Sequence, residues 1–124
     1  MSSSNHSRPI LVVEDDPDIR ELLKIALEME GHFVETAQNG QEAWDFLNGA
    51  DRKPALMVID LMMPVMDGWK LLELKSQSEC FRDIPAMIVS ATSDKKFPVP
   101  EKNQVVLKKP LDLKVFLNHV ARFV

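Results

Sequence analysis

Five side chains could do chemistry together if the fold brings them together: the adjacent acids Glu14 and Asp15, then Asp60, Ser90 and Lys109. Carboxylates placed close together repel, and each has a raised pKa unless something compensates it. A hard divalent cation with oxygen ligands does so, and Mg²⁺ takes one or two carboxylates together with waters and phosphate oxygens. Lys109 supplies a further positive charge. A carboxylate held by a cation and a lysine could act as a nucleophile toward phosphorus and form an aspartyl-phosphate. The metal would neutralise the transferring group, and Ser90 could donate a hydrogen bond to its oxygens. Singly, each residue has a plainer reading. Asp15 or Asp16 could be only a helix cap, Asp60 a turn cap, Ser90 a strand-end polar group, and Lys108 and Lys109 solvated charges.

What distinguishes the set is its placement. Apolar runs of strand length precede each member: residues 9–13 before Glu14, 55–59 before Asp60, 84–89 before Ser90 and 104–107 before Lys108-Lys109. Such runs, bounded by turn residues, read as buried strands. A weaker, mixed-polarity run over 32–37 suits a sheet edge. Between the strands lie helical patterns. Asp16 and Pro17 open the first, with cap and first-turn chemistry, Ile19, Leu22, Leu23, Ala26 and Met29 give it an apolar face, and Gly31 closes it at a left-handed position. Asn39 and Glu42 form a capping-box pair before a short second helix carrying Ala43, Phe46 and Leu47. Asp67 caps a third over about 68–76, and Leu113, Phe116, Leu117 and Val120 mark the last.

Residues 93–103 break the alternation. They contain Pro98 and Pro100, and proline inside a helix costs about 3 kcal/mol, so the fourth helix is predicted to be shortened or replaced by a loop. Alternating strands and helices imply a parallel sheet covered on both faces. The C-terminal ends of its strands then share one edge, which is where open α/β sheets place their sites.

Composition narrows the function classes. At 124 residues the chain is one domain, with residues 1–8 read as a Ser-rich flexible tail and 9–124 as the folded unit. A net charge of −4 argues against a nucleic-acid surface. No apolar run approaches the roughly 20 residues of a membrane span. One cysteine, Cys80, excludes an intramolecular disulfide, suits a reducing compartment, and reads as a partly buried thiol. His32 and His119 read as surface side chains, Trp44 and Trp69 as helix residues with one buried face, and the methionines as core or loop filler.

The stretches Val12-Val13-Glu14-Asp15, Asp60-Leu61-Met62-Met63-Pro64-Val65-Met66-Asp67-Gly68, Val89-Ser90-Ala91 and Lys109-Pro110 resemble the response-regulator receiver domain (CheY-like) of two-component signalling. The resemblance runs from about Arg8 to Val124. It implies a flavodoxin-like (βα)5 fold with sheet order 2-1-3-4-5, and a phosphoacceptor signalling domain rather than an enzyme acting on a free substrate. By similarity, Asp60 takes a phosphoryl group from a phosphohistidine on a sensor histidine kinase or a histidine phosphotransfer protein. Asp15 would bind Mg²⁺ directly, Glu14 mostly through water, and Asp60 and the Met62 backbone carbonyl would complete the protein ligands. Lys109 would pair with the phosphoryl oxygens. Ser90 would move to hydrogen-bond them, which is the switching step. The Lys109-Pro110 bond would be cis, and the location cytoplasmic.

The sequence departs from the family pattern at Val106, where many receivers carry Tyr or Phe coupled to the hydroxyl residue, and at the proline-rich 93–103 segment, which points to an unusual output surface or one lying elsewhere, such as the first helix. No effector follows the last helix, so the expectation is a stand-alone receiver that acts by binding partners. Two other readings compete. One is a binding module that no longer depends on phosphorylation, motivated by Val106 and the disrupted fourth segment. The other is a phosphohydrolase of the haloacid-dehalogenase type, which calls for an Asp where Met62 stands.

Overall fold

Strand β1 (Ile10–Val13) shows why the chain takes a three-layer form: all four of its side chains are buried. Alternate strand residues face opposite sides, so an uninterrupted apolar strand needs cover on both. Ile10 and Val12 pack in one layer with Leu23, Leu27, Phe116 and Val120. Leu11 and Val13 pack in the other with Ala43, Leu47 and Leu71. The computed structural model describes residues 8–91 and 103–124, and the predicted loss of the fourth helix falls on residues outside that set apart from Asn103.

After β1 come α1 (Pro17–Met29), β2 (Val34–Ala37), α2 (Gly40–Gly49), β3 (Leu56–Asp60), α3 (Gly68–Ser76), β4 (Ala86–Ser90), β5 (Gln104–Lys108) and α4 (Leu113–Phe123). The five strands form one parallel sheet in the order β2-β1-β3-β4-β5. β3 and β4 are buried at every position, and the weaker strands β2 and β5 lie at the edges.

Local chemistry sets the helix ends. The Asp16 carboxylate accepts from the N–H groups of Asp18 and Ile19, with Pro17 at the first helical position. At the other end of α1, Gly31 (φ 91°) lets its own N–H reach the Glu28 carbonyl and that of His32 reach Leu27, the paired bonds of a left-handed C-terminal cap. Asn39 caps α2 through the Glu42 N–H, but the Glu42 carboxylate returns to the N–H of Gln38, one residue before the predicted position. Asp67 accepts from the Lys70 N–H, and Asp112 caps α4.

Two side-chain placements differ from expectation or were not foreseen. Cys80, predicted to be partly buried, is exposed, because the turn after α3 carries it past the layer that Phe81 and Ile84 complete. Lys75 is buried, with its Nζ donating to the Arg82 carbonyl at 3.2 Å. His32 and His119 are half-buried. Trp44 and Trp69 lie on helices and are half-buried as predicted, Trp44 meeting Phe81 edge-to-face at 5.6 Å.

Val65 carries strain. Its φ is 68° and it is 83% exposed. A β-branched residue is rare in that region, where L-residues are disfavoured by roughly 1–2 kcal/mol, and an exposed side chain recovers little through packing. Val65→Asn, which tolerates the left-handed conformation, should therefore stabilise the protein by roughly 1 kcal/mol. In urea this appears as a higher midpoint at unchanged slope; an unchanged or lower midpoint would show that Val65 is held there without strain.

Candidate functional site

The sheet register levels the strand ends. Val13 pairs with Ile59, Asp60 with Val89, and Ser90 with Lys108. The residues at or just beyond those pairs, Glu14, Asp60, Ser90 and Lys109, therefore meet at one edge. Carboxylate oxygens of Glu14, Asp15 and Asp60 lie within 4.8 Å of one another. Glu14 and Asp60 are buried, whereas Asp15 is exposed. The Lys109 ammonium sits 3.2 Å from Asp60 Oδ2 and 3.8 Å from Glu14 Oε1. Asp60 Oδ1 accepts from the Met62 N–H at 3.3 Å, so both of its oxygens are engaged. Glu14 Oε2 accepts from the Asp16 N–H at 3.2 Å.

The supporting backbone is tight. The Lys109 N–H donates to the Ser90 carbonyl at 2.8 Å, and the Lys109-Pro110 bond is cis. Ser90 is fully buried, with Oγ 3.4 Å from the Ala91 carbonyl. Val106 lies in β5 opposite Ile88 and is half-buried. The Met62 side chain is 61% exposed, and only its N–H reaches Asp60. α3 begins hard against the centre of the site. A Cβ on Gly68 would stand 2.5 Å from the Asp60 carbonyl oxygen and 2.7 Å from Leu61 Cα, and the Gly68 N–H donates to the Leu61 carbonyl at 2.9 Å. Only glycine lets the helix approach the strand end this closely.

Electrostatics follow from this crowding. Burial, then the neighbouring Asp60 carboxylate, pushes the Glu14 pKa from 4.5 up to about 8. Burial works against the Lys109 ammonium, but the Asp60 and Glu14 carboxylates outweigh it and hold its pKa above the ordinary lysine value. A cluster of oxygen donors that cannot comfortably carry all its charges suits a hard divalent cation, and Glu14, Asp15 and Asp60 could hold one.

The predicted residues Glu14, Asp15, Asp60, Ser90 and Lys109 thus converge, while Val106 lies two positions before Lys108, the β5 residue level with Ser90. Two features escaped the sequence reading. The Arg20 guanidinium reaches back to the acidic loop; its place, one turn into a helix that follows two acids, was the available signal. Beside Lys109 lies an apolar groove of about 460 Å³, lined by Ile19, Leu22, Pro110, Leu111 and Leu113. It joins elements at opposite ends of the chain, and no local pattern marks it.

The pKa of Glu14 yields a test. Its folded value lies above its unfolded one, so its contribution to stability is fully present below pH 4.5 and is lost as the pH rises through about 8. In chelator, between about pH 5.5 and about pH 8.5, urea denaturation should show the wild type losing on the order of a few kcal/mol more than Glu14→Gln. Parallel pH curves for the two proteins would mean that Glu14 is ionised throughout.

Comparison with known proteins gives a consistent family. The model of the response regulator receiver domain matches residues 10–121. Response regulator Rre1 of Synechocystis sp. is 35% identical over 107 residues, which cover 83% of this chain and 46% of Rre1; the chain thus spans about half the length of that relative. The signal receiver domain of a signal transduction histidine kinase from Syntrophus aciditrophicus superposes with a TM-score of 0.81 at 32% identity, covering 94% of this chain and 89% of that one. Chemotaxis protein CheY4 of Vibrio cholerae gives 0.77 at 25% identity, with 94% and 98% covered. Among the described residues, no helix is long and apolar enough to cross a membrane.

Proposed function

Because this chain belongs to the response-regulator receiver family, we propose that it is a phosphorylatable switch whose acceptor is Asp60. The observation that carries this reading is the Asp60 carboxylate itself: buried at the end of β3, 3.2 Å from the Lys109 ammonium, and sharing a pocket with Glu14 and Asp15. A phosphohistidine on a sensor kinase or phosphotransfer protein is the donor. An Asp60 oxygen forms the new O–P bond as the P–N bond breaks, and the imidazole keeps the electron pair and takes up a proton. Asp15, Glu14, Asp60 and the Met62 carbonyl are the residues that would hold Mg²⁺, which when bound supplies positive charge against the phosphoryl oxygens.

Lys109, 3.2 Å from Asp60 Oδ2, would contact the same oxygens. Its ion pair with Asp60 would be exchanged for one with the phosphoryl group, so that modification changes the strand-end contacts between β3 and β5. Ser90, at the end of the intervening strand β4, would supply the hydroxyl that bonds the phosphoryl oxygens. With Val106 in place of an aromatic ring, the switch would run through Ser90 and Lys109 alone. The chemistry is confined to the protein's own phosphorylation and its reversal by water, with the modified form read by a protein partner. The proposed setting is the cytoplasm.

Incubation with acetyl phosphate followed by intact-mass spectrometry tests the reading. The wild type should gain a single phosphoryl group in Mg²⁺ and none in chelator, and Asp60→Asn should gain none. A folded, Mg²⁺-binding wild type that takes no phosphoryl group would favour the alternative, an interaction module independent of phosphorylation.

A further inference from the structure

We propose that Arg20 is a positioning residue for the acidic pair, holding the main chain of Glu14 and Asp15 so that their carboxylates can share one cation. The inference deepens the reading of this site as a Mg²⁺-dependent phosphoacceptor and rests on it. Arg20 lies in α1, where its own N–H donates to the Asp16 carbonyl at 2.9 Å. Its half-buried side chain turns back beyond the helix start. There Nη1 donates to the Glu14 carbonyl at 2.9 Å and to that of Asp15 at 3.3 Å.

Those carbonyls need a partner. The pairing of β1 with both neighbouring strands ends at Val13, and the nearby N–H groups of Asp16, Asp18 and Ile19 already donate to the Glu14 and Asp16 carboxylates. A guanidinium supplies the missing donor, and charge-assisted hydrogen bonds are stronger than neutral ones. The consequence is largest for Asp15. Among the described residues, no hydrogen bond reaches its carboxylate, which is exposed, so the position of its oxygens follows from the main chain that Arg20 grips.

Arg20 also refrains from the interaction its chemistry favours. A guanidinium fork matches a carboxylate in two-point contact, and three carboxylates lie close by. Yet among the described residues the ion pairs in the site belong to Lys109, with Glu14 and with Asp60. The Arg20 guanidinium thus orients the acids without occupying their oxygens, as residues behind metal ligands do.

The sign of the effect separates this role from a charge effect. Removing a cation from an acidic site should by itself tighten Mg²⁺ binding; losing the grip on the loop should weaken it. Titration calorimetry with Mg²⁺ on wild type, Arg20→Met, Arg20→Lys and Asp15→Asn should give a dissociation constant roughly tenfold higher for Arg20→Met. Arg20→Lys, which keeps the charge and one donor group, should fall between Arg20→Met and wild type. Urea denaturation in chelator monitors the fold of each variant, and should Arg20→Met fail to fold, Arg20→Lys against wild type decides. Arg20→Met binding Mg²⁺ as tightly as wild type or more tightly, or a loss of stability with no change in affinity, would overturn the role of Arg20 and leave the site standing. A wild type that binds no Mg²⁺, or binds it no better than Asp15→Asn, would overturn the site reading and this proposal together.

Discussion

The ion pair between Lys109 and Asp60 ties together two strand ends that are 49 residues apart in the chain. Opposite charges about 4 Å apart attract by about 4 kcal/mol at the effective dielectric of a partly buried site, while removing each ion from water costs several kcal/mol. The pair therefore does little more than offset its own burial. Glu14 adds a second acid to the same buried space, and burial, then the Asp60 carboxylate, drives its pKa up further than the Lys109 ammonium can offset. A purely structural core would replace these groups with apolar ones. Stability alone therefore does not account for their presence at the sheet edge.

Much of the structure serves to hold that crowded arrangement. Parallel pairing fixes the levels of β1, β3, β4 and β5, and a slip of one residue would turn Asp60 to the opposite face. The continuous apolar strands resist such a slip, because each is covered on both sides. Gly68 brings α3 against the backbone of Asp60 and Leu61. The strained Val65 lies in the same short connection, so the loop that follows Asp60 is shaped for position at some conformational cost. Around the acidic loop, Asp16 works twice: its carboxylate caps α1 while its N–H holds Glu14.

Legibility in the sequence tracked the range of the interaction. The caps at Asp16, Asn39 and Asp67 and the stop at Gly31 depend on neighbours within a few residues, and they were readable. The strand runs and the inference of a parallel sheet were readable because burial on both faces demands uninterrupted apolar residues. Cys80 was misjudged because its exposure depends on how the turn after α3 leaves the core. The Glu42 carboxylate found a donor one residue away from the expected one, a difference of local geometry that residue types do not encode. The Arg20 contacts were missed because arginine on a helix is usually solvated, and only the actual path of the β1–α1 loop shows carbonyls within its reach.

By itself, the sequence determined the order of strands and helices, their capping, and which residue types would stand at the strand ends. These follow from local propensity, hydrophobic period and the rule that parallel strands end along one edge. Only the tertiary structure decided that Glu14, Asp15 and Asp60 lie within 4.8 Å of one another, that Lys109 pairs with two of the three, and that Arg20 bonds to carbonyls instead of carboxylates. Distances between groups far apart in the chain depend on register and packing summed over the whole sheet. The resulting burial, which lifts Glu14 and constrains Lys109, exists only once those strands are side by side.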